Sequence, residues 1–315
     1  MRHKWTSYIM CVVVACLFCG CRGDNPLQPK SGGRPYEVLL VDDDNGVVLR
    51  QLTVDMVGLP QPEPWFDVVL TDSIGFQRNG QTMRNVVKVD VAPGAAERTV
   101  LRYERNVFAA PQIIVHVVTP SLEALHHDMP TMGGRLRALL NNAERSREMA
   151  FLSSHHAMEP TMEVERLFGA QMWIPVEMKS SMRADNFIWL SNDAAEGMCN
   201  LCVYTIPSAD TARFVTARDS VMERNIKGET DQMHMTTAHL PVHWQQQGDS
   251  STWVARGLWE MKGDAMGGPF VSRMMPRDDG TAIVAEAFVY APEGKKRNLL
   301  RRTEAAIFTF KKIKE

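Results

Sequence analysis

WVARGLWEM at 253–261, PFVSRM at 269–274, IVAEAFVY at 283–290 and KRNLLRRTEAAIFTF at 296–310 follow one another near the end of the chain. The first three are short runs of β-forming residues bounded by turn residues, which predicts three strands. The fourth repeats its apolar residues at helical spacing and predicts a helix. Working backward, Asp210 is suited to cap a helix in which Phe214, Ala217, Val221 and Met222 form a stripe, and Gly228 follows its last turn. Strands are expected at 171–178, 187–190 and 201–206. This order of two strand groups, each followed by a helix, permits a ferredoxin-like sandwich in the second half.

Between about 121 and 168 the pattern is helical. Leu136, Leu139, Leu140, Ala143 and Met149 lie on one side, with Arg135, Arg137, Glu144, Arg145, Arg147 and Glu148 opposite. Breaks are expected near Pro130 and Pro160. Earlier still, 36–41, 65–70, 85–91 and 112–118 read as strands, and 47–57 as a helix that stops at Gly58 ahead of Pro60, Pro62 and Pro64. The fold class is therefore α+β, with mixed and antiparallel sheets packed against helices. Residues 35–315 are long enough for one large domain or two packed halves, 35–168 and 169–315.

The N-terminus reads differently. Arg2, His3 and Lys4 precede an apolar stretch at 9–18 and then Cys19-Gly20-Cys21. A transmembrane helix needs about 20 apolar residues, and this shorter run fits the hydrophobic region of a secretory signal. The expectation is a signal peptide over 1–20, a lipid on Cys21, and a flexible tether over 21–34.

The 315 residues carry a formal net charge of −2, which argues against nucleic acid as a partner, because neutralising phosphates needs a basic face. Of six cysteines, only Cys199 and Cys202 follow the tether. Their surroundings, CNLCVYTI at 199–206, read as a strand, on which residues three apart face opposite sides. Buried thiols or one strand-entry disulfide fit better than a redox pair. No metal site and no cofactor are expected: His234, His239 and His243 are interrupted by Pro241 and share no face. Thr236 to His239 and 263–269 echo trypsin-like protease segments but contain no serine at the nucleophile position. Gly267-Gly268-Pro269 reads instead as a sharp turn leading Phe270 into a strand. Lys295, Lys296, Arg297, Arg301 and Arg302 read as a solvated basic face.

Tyr36-Glu37-Val38-Leu39, Gly58-Leu59-Pro60-Gln61-Pro62-Glu63-Pro64, Arg218-Asp219-Ser220-Val221, Arg256-Gly257-Leu258-Trp259, Met266 to Ser272 and Phe288 to Pro292 with Lys296-Arg297 resemble the Bacteroidetes lipoproteins grouped as a domain of unknown function. The resemblance implies a lipid anchor, and it carries over no catalytic role because the family has no established activity. Candidate site residues are Asp42, Asp43 and Asp44 at a strand end, with Arg218, Arg256, Trp259 and Asp264, which serve equally well as a packed core with its salt bridges. The expected function is a non-catalytic binding or assembly module in the cell envelope. Its anchor would lie in the outer membrane, facing the periplasm or the cell surface, with an envelope protein or glycan as partner. The alternative is a hydrolase of envelope polymers working through carboxylates among Asp42, Asp43, Asp44, Glu260 and Asp264.

Overall fold

The structure, a computed structural model, describes residues 28–313 apart from 196, 231, 249 and 250. The signal segment, Cys21 and the first part of the tether lie outside the described residues. Among those described, six helices and fifteen strands form the α+β architecture, and no helix is long and apolar enough to cross a membrane.

β1 (Glu37–Val41) is buried along its whole length. Such a run suits the interior of a parallel sheet, where both faces are covered. α1 (Val47–Leu52), β2 (Asp67–Thr71), α2 (Ser73–Gly75) with the π turn Phe76–Gly80, β3 (Asn85–Val91), β4 (Val100–Arg105) and β5 (Ile113–Thr119) complete the first unit. The strand order is β2-β1-β3-β5-β4, with only β4 antiparallel. Residues 28–34, read in the sequence as tether, are tied to this unit. Gly32 N donates to Thr82 O at 2.7 Å, Arg84 N donates back to Gly32 O at 2.9 Å, and Ser31 N donates to Ala110 O at 3.1 Å.

α3 (Leu122–Ser154) covers one face of that sheet with Leu125, Met129, Leu136, Leu140 and Ala143. Its 33 residues run through Pro130 without the expected break. Pro130 and His126, whose carbonyl loses its helical donor, are both exposed, so that carbonyl is on the solvent side of the helix. The helix ends instead at His155. α4 (Met158–Phe168) then carries Pro160 at its third position, in the first turn, where proline is tolerated. Val164 and Phe168 of α4, and Leu152 at the end of α3, are buried in the second core, so packing changes over near residue 152.

The second unit is an antiparallel sheet built from β7 (Ser180–Ala184), β8 (Phe187–Ser191), β9 (Met198–Ile206), β10 (His234–Thr237), β11 (His243–Gln246), β12 (Trp253–Lys262), β13 (Gly267–Pro276) and β14 (Ala282–Tyr290). Its order is β10-β12-β13-β14-β9-β8-β7, with β11 also on β12. α5 (Phe214–Asn225) packs on one face and α6 (Arg297–Thr309) on the other. A ferredoxin-like sandwich keeps its helices on one face of a four-stranded sheet, so that expectation does not hold. The strand expected at 171–178 shrinks to β6 (Ala170–Gln171), paired with β15 (Lys311–Lys312). Beyond it, threonine side chains take the place of a ladder: Trp173 N donates to Thr309 Oγ1 at 2.9 Å and Ile174 N to Thr161 Oγ1 at 3.2 Å.

Two further corrections bear on the site. Gly267 and Gly268 lie inside β13 and not in a turn, and a Cβ on Gly268 would sit 2.0 Å from Val289 O. Close approach of β14, not positive φ, is what requires glycine there. The supposed solvated basic face of α6 is mostly interior: Lys296, Arg297 and Arg301 are buried.

Candidate functional site

β14 reads AIVAEAFVY, a buried strand with one acid in the middle. Antiparallel register sets Glu286 between Ser272 on β13 and Cys202 on β9, on the face that α5 covers. Arg218 extends from the apolar stripe of α5 onto the same spot. Both side chains are fully buried, with Arg218 Nη2 2.7 Å from Glu286 Oε1 and Nε 3.0 Å from Oε2. Tyr204 and Ser272 hydroxyls each donate to Oε2 at 2.8 Å. The Arg218 guanidinium also lies 4.1 Å from the Phe270 ring centre and donates to Thr237 Oγ1 at 3.0 Å. Burial works against the arginine charge, but the Glu286 carboxylate outweighs it and holds the guanidinium above its usual range. The Tyr204 hydroxyl is pushed well up, first by burial and then by Glu286.

From this closed network one branch leads outward. Asp219 Oδ1 accepts from Thr237 N at 2.8 Å and from its hydroxyl at 2.6 Å. Asp219 and Thr237 line a cleft of about 660 Å³, with His239, Leu240, Val215 and Trp244 among its other walls. Leu240 is 58% exposed. The cleft combines apolar walls with one half-buried carboxylate fixed by the network behind it.

A second polar assembly joins the two units. Glu63, in the proline-rich loop after α1, accepts from Lys296 N at 2.8 Å and Arg297 N at 3.1 Å, so it caps α6 from 233 and 234 residues away. Arg297 pairs with Asp67 at 2.6 Å and also donates to Pro64 O. Arg256 of β12 forms a two-pronged pair with Glu304 at 2.7 and 3.0 Å. Gly58, at φ 78°, presses on this strand, where a Cβ would meet Arg256 Cβ at 3.1 Å. Arg301 is the centre of the clasp. Its guanidinium lies 3.8 Å from the Tyr36 ring centre, 4.9 Å from Phe66 and 5.4 Å from Trp65. It donates to Trp65 O at 2.6 Å and Asn141 Oδ1 at 2.7 Å. Burial pulls its pKa down to about 10.

The site residues expected from sequence are therefore dispersed. Arg218 and Trp259 share the core under α5, where the Trp259 indole donates to Val289 O at 3.2 Å and packs against Phe288. Arg256 faces the opposite way, onto α6. Asp264 is exposed in the β12–β13 turn and accepts from Ala265 N at 2.6 Å. Asp42 accepts from Ser73 N at 2.9 Å and from its hydroxyl. Asp43 caps α1 through Val48 N at 3.3 Å and Leu49 N at 2.7 Å, and Asp44 is exposed. Three clefts, of about 550, 660 and 350 Å³, have none of Asp42, Asp43, Asp44, Glu260 and Asp264 among their lining residues. Among those residues no group of three or more His, Cys, Asp or Glu is placed to hold a metal. The capping role of Asp43 predicts that Asp43→Ala lowers stability by about 1 kcal/mol, read from urea unfolding. A loss far below that would refute the role.

The thiols follow the strand reading: Cys199 joins the core on the α6 side and Cys202 the core on the α5 side, both buried and free. Glu286 as an ion-pair partner, and Glu63, Arg301 and Glu144, were missed in the sequence. A lone acid in an apolar strand, and an arginine in a helix's apolar stripe, were the available signals. Glu144, fully buried on α3, is met by Arg84 at 2.9 Å and Arg147 at 3.1 Å.

The packing change near residue 152 coincides with a family boundary. Residues 157–309 match the family described as Domain of unknown function (DUF4837). Residues 31–152 match a second, Domain of unknown function (DUF8532). The DUF4837 segment thus contains α4, the antiparallel sheet, the Arg218–Glu286 network and α6, while the DUF8532 segment contains the parallel-core sheet and α3. No curated protein matches the chain. Among solved structures, the human StarD13 (DLC2) lipid transfer and protein localization domain aligns over 40% of this chain and 88% of its own, at 9% identity and a TM-score of 0.23.

Proposed function

We propose that the protein is a non-catalytic binding or assembly module, held in the cell envelope by a lipid on Cys21. The observation that supports this most is the closure of the Glu286 network. The acid in the middle of β14 is fully buried, and its oxygens are taken up by Arg218, Tyr204 and Ser272. A carboxylate so engaged does not act as a general base on an outside substrate, since a base needs hydrogen-bond reach to the proton it takes. What it does is set Asp219 and Thr237 rigidly at the edge of an apolar cleft, the arrangement of a recognition surface. The envelope partner is a protein or glycan that meets the cleft around Leu240 and Trp244.

The test joins address and partner. Mass spectrometry of the N-terminal peptide from membranes is expected to find acylated Cys21, and Cys21→Ala is expected to move the protein to the soluble fraction. An unmodified N-terminus elsewhere would overturn the anchor. A photo-crosslinking residue at Leu240 is expected to give one defined envelope adduct in cells, and the same residue at exposed Asp44 is expected to give none. Recovery of the uncrosslinked chain alone from both positions would overturn the binding reading.

A further inference from the structure

The junction of the two units holds a cleft of about 350 Å³ distinct from the one beside α5. Glu148 and Phe151 of α3, Glu177 of the segment before β7, Leu299 and Arg302 of α6, and Cys199 of β9 all line it. That volume is in the range of small-molecule sites, which favour such junctions.

Among the described residues its charges do not balance. Arg302 is engaged with Glu177 at 3.0 Å, whereas Glu148 makes no hydrogen bond or ion pair among the described residues. Burial raises the Glu148 carboxyl above its ordinary range, only partly offset by Arg302 and Arg84. A partly desolvated carboxylate without a partner gains from a cation brought beside it. On the same helix, one turn on, Phe151 stacks one ring face on His155 at 4.3 Å yet leaves 49% of its surface exposed, and this exposed aromatic surface attracts an organic cation further. Leu299 supplies apolar wall, and Gly197 lies so near it that a Cβ would come within 2.9 Å of Leu299 Cδ1.

We propose that this cleft binds a small organic cation, a primary amine carried on an apolar or aromatic body, with Glu148 as its counter-ion and Phe151 against its charged end. The proposal is independent of the envelope reading: loss of the lipid on Cys21 would leave amine binding unchanged.

Calorimetry on the full chain in nonionic micelles, with micelles alone as blank, tests it with benzylamine against its neutral counterpart benzyl alcohol. Benzylamine is expected to bind about tenfold tighter, the worth of one charged contact. Glu148→Gln is expected to erase that difference, and Ala194→Phe, which fills the cleft, to remove both. Equal binding of the two probes, no binding of benzylamine, or an unchanged preference in Glu148→Gln would overturn the assignment. A folding-independent check uses the wild-type chain. Benzylamine is expected to slow modification of Cys199 by methyl methanethiosulfonate while fully buried Cys202 stays silent, and unchanged Cys199 labelling at saturating amine would also overturn it.

Discussion

Glu286→Gln is expected to destabilise the second unit by about 3–5 kcal/mol, because it leaves the Arg218 charge buried without its counter-charge. The substitution keeps the shape of the side chain, so the loss isolates charge from packing. Arg218→Met is expected to cost a similar amount, since Glu286 would then be the uncompensated ion. Combining Arg218→Met with Glu286→Leu removes both charges and is expected to cost less than the sum of the single losses by about 2–3 kcal/mol. The residual cost comes from the Tyr204 and Ser272 hydroxyls, which lose their acceptor in a dry site. Urea unfolding followed by tryptophan fluorescence reads all four corners of the cycle. Strict additivity, or single losses below about 1 kcal/mol, would remove the network from its central place.

The clasp carries the second large expectation. Arg301→Ala forfeits a desolvated stack on Tyr36, Phe66 and Trp65, about 2 kcal/mol, and strands the Trp65 carbonyl, about 1–3 kcal/mol more. Arg301→Lys is expected to recover little, because an ammonium neither stacks as a plane nor reaches Trp65 O and Asn141 together. The signature is a change in form as well as size. A chain that unfolds in one transition is expected to show two, as the parallel-core unit loses its hold on α6. Calorimetric scans of wild type and Arg301→Ala side by side decide this. A single transition at an unmoved temperature would show that Arg301 does not hold the units together.

Strands with a buried interior were legible in the sequence. β3 lies where 85–91 predicts it, and β12, β13 and β14 extend the predicted runs by a few residues at most. The missed strands carry a weak local signal for two reasons. β4 and β7 are sheet edges whose residues are largely exposed, so they carry little of the apolar signal that marks a strand, and β10 and β11 are only four residues each. The helix runs through Pro130 because α3 is held on both sides of it by packing on the first sheet, and the freed carbonyl faces solvent, which are tertiary facts. The basic run at 295–302 was misjudged for the same reason: the charges of Arg297 and Arg301 are answered by a loop more than 200 residues earlier.

The amino-acid sequence by itself determined the α+β class, the helical and core-strand segments, and the opposite facing of Cys199 and Cys202. These depend on periodicities of 3.6 and 2, which neighbouring residues express locally. Only the tertiary structure decided that Glu286 answers Arg218, that Glu63 caps α6, that α5 and α6 take opposite faces of one sheet, and that Glu148 meets no partner among the described residues. Each of these depends on which distant groups meet once water is excluded, and a buried charge bears no local mark of the partner that makes its burial tolerable.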